Sequence, residues 1–204
     1  MVETQNLTGF KHTGKNKKKK QIVLSHSSRN VRDYLVSLKT RYNGNNEYLP
    51  NYIIDRGGNI INIIPPETYS KYLDIGRYDK DIITICLENL GWLRKNPLHG
   101  GYVNWIGNIY NEGIYERKWR GHFFWQPYTE EQLESLGSLI EELCTDFNIP
   151  KTLIGHNVKV DGVEKFEGIV TKSNYDSTHT DLSPAFDFDE LKKILEIWLT
   201  NMMK

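Results

Sequence analysis

The sequence predicts one α/β domain in which helices flank a mixed central β-sheet. Short apolar runs typical of buried strands alternate with amphipathic helical stripes, and a glycine-rich hairpin signal lies among the strands. With 204 residues, 38% of them hydrophobic, the chain is long enough to bury a sizeable core. We assign residues 1–20, which hold six lysines, to a basic flexible tail and residues 21–204 to the domain.

The first half of the domain is predicted as strand, helix, hairpin and strand. The apolar run 22–24 ends in Ser25-His26, and Asn30 then caps a helix. Residues 52–64 contain two apolar runs on either side of Arg56-Gly57-Gly58-Asn59. This pattern predicts a hairpin with the two glycines in its turn. Residues 81–90 form the next strand-like run.

The second half contains the clearest helix of the sequence. Thr129 and Gln132 make a capping box, and leucines follow at helical spacing as far as Phe147. A short strand, 152–156, ends in His156, and Asp187 caps a final helix.

Two insertions interrupt this order. Residues 92–128 are rich in aromatic side chains, which predicts either a glycan-binding wall or an extra hairpin with its own small core. Residues 157–178 are polar, and we expect a loop that lines a cleft. Its lysines, Lys159, Lys165 and Lys172, are either solvated or positioned to meet carboxylates of a ligand.

Charge and hydrophobicity along the chain argue against some classes of function. The 26 basic and 26 acidic residues give a formal charge of zero, which argues against a nucleic-acid partner. No apolar run approaches the roughly 20 residues that would insert into a membrane. The amino terminus lacks the apolar core of a secretory signal, so we expect cytoplasmic synthesis.

Three positions have the chemistry of metal ligands. His26 and His156 end strand-like runs, where a sheet holds a side chain rigidly at the edge of a cleft. Asp181, two residues after His179, lies in a loop. Two histidines and a carboxylate form a catalytic zinc set that leaves one position for water, although strand-end histidines are also often simply hydrogen-bonded.

Five segments in order carry a family resemblance. They are IVLSHSS, YIIDRGGNIINIIP, ITICLENLG, YTEEQLESLGSLIEELCTDFNIPKTLIGHN and HTDLSPAFDFDEL. Over about residues 21–197 the chain resembles the zinc-dependent N-acetylmuramoyl-L-alanine amidases of type 2, which include phage lysozyme-amidases and peptidoglycan-recognition proteins. The resemblance implies hydrolysis of the lactyl–L-alanine amide of peptidoglycan.

The same resemblance implies roles for individual residues. Zinc is expected at His26, His156 and Asp181, and His179 stands where many relatives have a lysine that stabilises the oxyanion. The positions at which relatives carry a proton acceptor, glutamate or tyrosine, are Cys86 and Pro50 here.

Two residues are candidates for the missing proton acceptor. Glu88 lies two positions from Cys86 and therefore on the same strand face, and it is equally explained as a rim carboxylate in a salt bridge to a lysine. Tyr52 is a weaker candidate, because its position is usually occupied by a core aromatic. The DLS that begins at Asp181 replaces the family's DPG.

The resemblance also implies a biological setting. We expect a monomeric phage or prophage endolysin that reaches the cell wall through a holin-type lesion and takes peptidoglycan or muropeptide as substrate. Two alternatives stay open. One is a catalytically silent peptidoglycan-binding protein, suggested by the absent proton acceptors, and the other is an intracellular muropeptide-recycling amidase.

Overall fold

The central sheet is mixed, as predicted, and has five strands. The computed structural model describes residues 12–98 and 100–202, with side chains as far as residue 196. The strands of the central sheet are, in spatial order, β12 (Gly168–Thr171), β2 (Gln21–His26), β6 (Ile82–Leu87), β3 (Tyr52–Ile54) and β4 (Ile60–Asn62). The first four run parallel, and only β4 is antiparallel to its neighbour.

Helices cover both faces of this sheet. They are α1 (Val31–Thr40), α2 (Glu130–Phe147), α3 (Lys172–Tyr175) and α4 (Phe188–Met202), with 3-10 turns at Arg41–Gly44, Gly76–Asp81 and Val163–Lys165. One core cluster joins α2 and α4 to the sheet through Leu136, Ile140 and Leu191. A second joins α1 to the opposite face through Leu38 and Ile53. All six residues of β2 are buried, which explains its unbroken apolar run.

The predicted helix starts are confirmed in atomic detail. The Asn30 side chain accepts from the Asp33 N–H at 2.8 Å, and Thr129 and Gln132 form the reciprocal capping box that opens α2. At its other end α2 stops at Asn148, whose φ of +52° is left-handed. These local signals act within one helical turn, so the sequence alone could specify them.

The aromatic insertion forms a second, five-stranded antiparallel sheet with its own small core. Its strands are β10 (Tyr115–Trp119), β11 (His122–Trp125), β7 (Trp92–Lys95), β8 (Tyr102–Val103) and β9 (Ile109–Tyr110), in spatial order. Leu90, Leu93 and Tyr110 pack inside it. Trp125 is fully buried, and its indole donates to the Arg117 carbonyl at 2.8 Å.

The described part of the basic tail packs on the domain. Strand β1 (Gly14–Lys15) pairs with β5 (Thr68–Tyr69). Lys19 is buried and donates to the carbonyls of Lys80 and Ile82. Residues 1–11, the rest of the predicted tail, lie outside the described residues. No helix in the described part of the chain has both the length and the apolarity needed to cross a membrane.

The segment predicted as a polar loop differs most from expectation. Within residues 157–178, β12 joins the central sheet beside β2, and α3 follows it directly. Ile169 and Val170 are fully buried, and this pair was too short to signal a strand among its polar neighbours. The predicted strand 152–156 instead makes a single bridge, from Leu153 to Ile169, on the outer side of β12.

Candidate active site

A cleft of roughly 540 Å³ opens at the carboxyl ends of the parallel strands. This is the usual position of a ligand site in a parallel sheet, because strand ends and the following loops converge there. Its lining includes His26 at the end of β2, Lys172 after β12, and His179 and Asp181 from the next loop. Aromatic side chains and two arginines complete the wall: Tyr34, Tyr42, Tyr48, Tyr72, Trp92, Trp105, Arg29 and Arg41.

Only one of the two ring nitrogens of His26 has a hydrogen-bond partner among the described residues. Its Nδ1 lies 2.9 Å from the Tyr128 hydroxyl, while its buried Nε2 has no hydrogen-bond partner among the described residues. Burial is the largest effect on this imidazole and lowers its pKa, which keeps the ring neutral, although nearby Asp181 acts in the opposite direction. The φ of Gly91 is +73°, a backbone conformation that favours glycine, and a Cβ there would lie a tight 3.1 Å from Nε2.

Asp181 and His179 lie together beside His26. The Asp181 carboxylate is 4.0 Å from His179 Nδ1, and the Asp176 carboxylate is 3.9 Å from His179 Nε2. Burial, followed by the Lys172 charge, lowers the pKa of His179. Two of the three predicted zinc ligands and the predicted oxyanion-stabilising residue therefore share the cleft.

His156 lies elsewhere. It is exposed and absent from the cleft lining, and its Nδ1 accepts from the Val158 N–H at 3.3 Å. The Asn174 amide holds the local backbone by donating to the carbonyls of His156 and Val158, each at 2.8 Å. Within residues 12–98 and 100–202, no three His, Cys, Asp or Glu side chains are arranged to hold a metal. The described residues do not fit the zinc set that the sequence predicts.

The Glu88 carboxylate binds backbone N–H groups of two separate segments. One carboxylate oxygen accepts from the Val31 N–H at the start of α1, and the other accepts from the Arg56 N–H in the hairpin turn, both at 2.9 Å. The side chain is 9% exposed and does not line the cleft. This arrangement joins two segments to the end of β6 through backbone N–H groups, where the alternative drawn from the sequence expected a lysine. It is a structural role and does not place the carboxylate at the cleft.

The other candidate positions for a proton acceptor are core residues. Burial raises the pKa of the Cys86 thiol to about 11, so it stays protonated at neutral pH. Pro50 is buried. Tyr52 packs in the cluster beneath α2, where burial raises its pKa to about 12.

Sequence reasoning placed Lys172 in a cleft-lining loop, but it missed the cleft residues Tyr72 and Arg29. The Lys172 ammonium lies 5.2 Å from the centre of the Tyr72 ring, and the Tyr72 hydroxyl is 2.7 Å from Ser25 Oγ. The Arg29 guanidinium stacks 5.1 Å from the Trp105 ring. The one available signal was the apolar pair Ile169-Val170 ahead of Lys172, which marks a possible strand end.

Comparisons with known proteins identify the family from the sequence and the fold from solved structures. The family model described as N-acetylmuramoyl-L-alanine amidase matches residues 10–168. The amidase LysC from Clostridium intestinale URNW superposes with a TM-score of 0.57 at 15% identity, over 96% of this chain and 97% of its own. A comparison with curated protein sequences found no match to the chain.

Two further structures share the fold. AmiD from E. coli, solved with the substrate anhydro-N-acetylmuramic acid-L-Ala-D-gamma-Glu-L-Lys, has a TM-score of 0.58 at 14% identity over 93% of this chain and 60% of its own. The Staphylococcus aureus hydrolase AmiA, in complex with its ligand, has a TM-score of 0.58 at 12% identity, over 100% of this chain and 86% of its own.

Proposed function

The chain belongs to the N-acetylmuramoyl-L-alanine amidase family, and from this premise we propose that its cleft binds peptidoglycan muropeptide and hydrolyses the lactyl–L-alanine amide. The observation that carries the proposal is the unpartnered, buried Nε2 of His26 at the base of the cleft. A buried imidazole nitrogen without a partner costs free energy unless a ligand or a water uses it.

The cleft residues supply acid–base chemistry. With its proton on Nδ1, directed at the Tyr128 oxygen, the neutral His26 ring accepts a proton from a water molecule through Nε2. The water oxygen bonds to the amide carbon, and His179 donates a hydrogen bond to the resulting oxyanion. The carbon–nitrogen bond then breaks as His26 returns the proton to the leaving amine.

Zinc dependence is implied by the family resemblance alone, and we do not include it in this proposal. His26 and Asp181 lie at the cleft, whereas His156 is exposed outside it. We therefore assign no catalytic step to a metal.

A role as a phage or prophage endolysin is likewise supported by resemblance. A neighbour described as an endolysin amidase, LysCS from Clostridium intestinale URNW, has a TM-score of 0.55 at 16% identity over 96% of this chain and 95% of its own. In this role the monomer is made in the cytoplasm and reaches the wall through a holin-type lesion.

A second candidate is a catalytically silent peptidoglycan-binding protein. The specific observation in its favour is that Glu88 holds two backbone N–H groups while His156 lies outside the cleft. The binding surface would remain, because its arginines and aromatic side chains do not depend on either residue.

Product analysis on purified peptidoglycan distinguishes these candidates, with His26→Ala as the control variant. New alanine amino ends without new reducing sugar ends identify the amidase. Loss of those ends with a chelator and recovery with zinc identify zinc dependence. Protein that pellets with the wall and releases no ends overturns the amidase in favour of the silent binder.

A further inference from the structure

The neighbour of β2 in the sheet decides which side chain faces His26. Strand β12 runs parallel to β2, with Thr171 opposite Leu24, so Lys172 follows at the level of Ser25. The sequence predicts His156 at the end of such a strand. In the structure, the residue that emerges beside His26 is Lys172.

Lys172 is a half-buried cation without a charged partner. Its ammonium makes no hydrogen bond or ion pair to any of the described residues, and it lies over the face of the Tyr72 ring. The ammonium charge lowers the pKa of both His26 and His179, which agrees with its position at the same cleft.

The rest of the lining adds positive charge. Arg29 and Arg41 face the cleft with Lys172, and Asp181 is the one carboxylate among the described lining residues. The Nε of Arg29 is buried without a partner. Unpaired, partly desolvated cations favour an anionic ligand and repel a divalent cation.

We propose that Lys172 takes the place predicted for His156 and makes this cleft a site for a carboxylate of the muropeptide rather than for zinc. The choice of muropeptide rests on the proposed function, whereas the preference for an anion over zinc rests on the cleft alone. Because the guanidinium groups are planar donors, Arg29 is well suited to share the carboxylate with Lys172.

Zinc binding without substrate tests the exclusion of the metal. In equilibrium dialysis at micromolar free zinc, the native chain should retain no zinc that depends on His26. Lys172→His should bind zinc about a hundredfold more tightly, because it places a second imidazole beside His26 and removes a positive charge. Lys165→His, on the exposed 3-10 turn, is the matched control and should behave as the native chain does.

Two results would overturn the exclusion of zinc. One is retention of about one zinc per native chain that His26→Ala abolishes. The other is a Lys172→His variant, folded by circular dichroism, whose zinc affinity equals that of the native chain. Neither result depends on turnover, so an inactive protein with the predicted zinc behaviour would contradict the amidase proposal alone.

Ligand binding tests the carboxylate directly. The probe is anhydro-N-acetylmuramic acid-L-Ala-D-gamma-Glu-L-Lys, with the same compound amidated at its free carboxylates as comparison. Lys172→Met should weaken binding of the probe about tenfold and leave binding of the amidated compound unchanged, since a charged hydrogen bond is lost only in the first case. Equal weakening of both compounds would contradict the carboxylate role.

Discussion

The segments IVLSH and TLIGH look alike in sequence and differ in the structure. The first is strand β2, whose six residues pair with β6 on one side and whose first four pair with β12 on the other. The second is held by one bridge at Leu153. As a result His26 is 5% exposed at the base of the cleft, whereas His156 is exposed outside it.

The difference shows that a strand-end histidine becomes a site residue through its place in the sheet order. Both segments have the local pattern, an apolar run ending in histidine. The four residues of β12 occupy the place beside β2, and the segment with His156 is displaced outwards by one strand. Local sequence describes the run, but it does not describe which strand lies next to it.

The sharpest test of this comparison is a pair of histidine substitutions. His26→Ala should lower the rate of alanine amino-end release by at least about a hundredfold, because the proton acceptor is lost. His156→Ala should stay within about twofold of the native rate, as expected for a surface side chain. Initial rates on purified peptidoglycan measure both. An equal loss in the two variants would mean that His156 enters the working site and that the predicted zinc set forms.

The second test compares the contributions that β12 and the segment 152–156 make to the stability of the fold. Ile169→Ala should lower the free energy of unfolding by about 3 kcal/mol, because Ile169 is fully buried in β12. Leu153→Ala should cost only about 1 kcal/mol, because that side chain is half-buried at the outer bridge. Urea denaturation measures both. Equal costs would place 152–156 within the core of the sheet and remove the contrast.

The third test concerns Glu88, whose carboxylate accepts from the backbone of Val31 and Arg56. Glu88→Gln should lower the free energy of unfolding by about 2 kcal/mol, since a carboxylate that accepts two backbone N–H bonds is replaced by a neutral amide. The amide-hydrolysis rate per folded molecule should be unchanged. A lost rate with an unchanged urea midpoint would instead make Glu88 the proton acceptor.

The fold and half of the site could be predicted because their determinants are local. The Asn30 cap and the Thr129–Gln132 capping box each act within three residues. The buried run that places His26 is also continuous in sequence.

The remaining features depend on partners distant in the chain. Glu88 accepts from Val31 and Arg56, which are 57 and 32 residues away, so its structural role has no local signature. Lys172 becomes a cleft residue only because the four buried residues of β12 pair with β2. A four-residue strand within a polar stretch carries too little apolar periodicity for such pairing to be recognised.

The late position of β12 in the sequence has a consequence for synthesis. Strand β2 is among the first parts of the domain to leave the ribosome, and its outer hydrogen-bonding partner, residues 168–171, lies in the last fifth of the chain. Until that partner emerges, the nascent chain carries the apolar run Ile22–Leu24 in a strand with one unpaired edge. Such an edge promotes aggregation or chaperone binding. Pairing across so long a separation is also entropically slow, so the binding cleft is completed only when the domain closes.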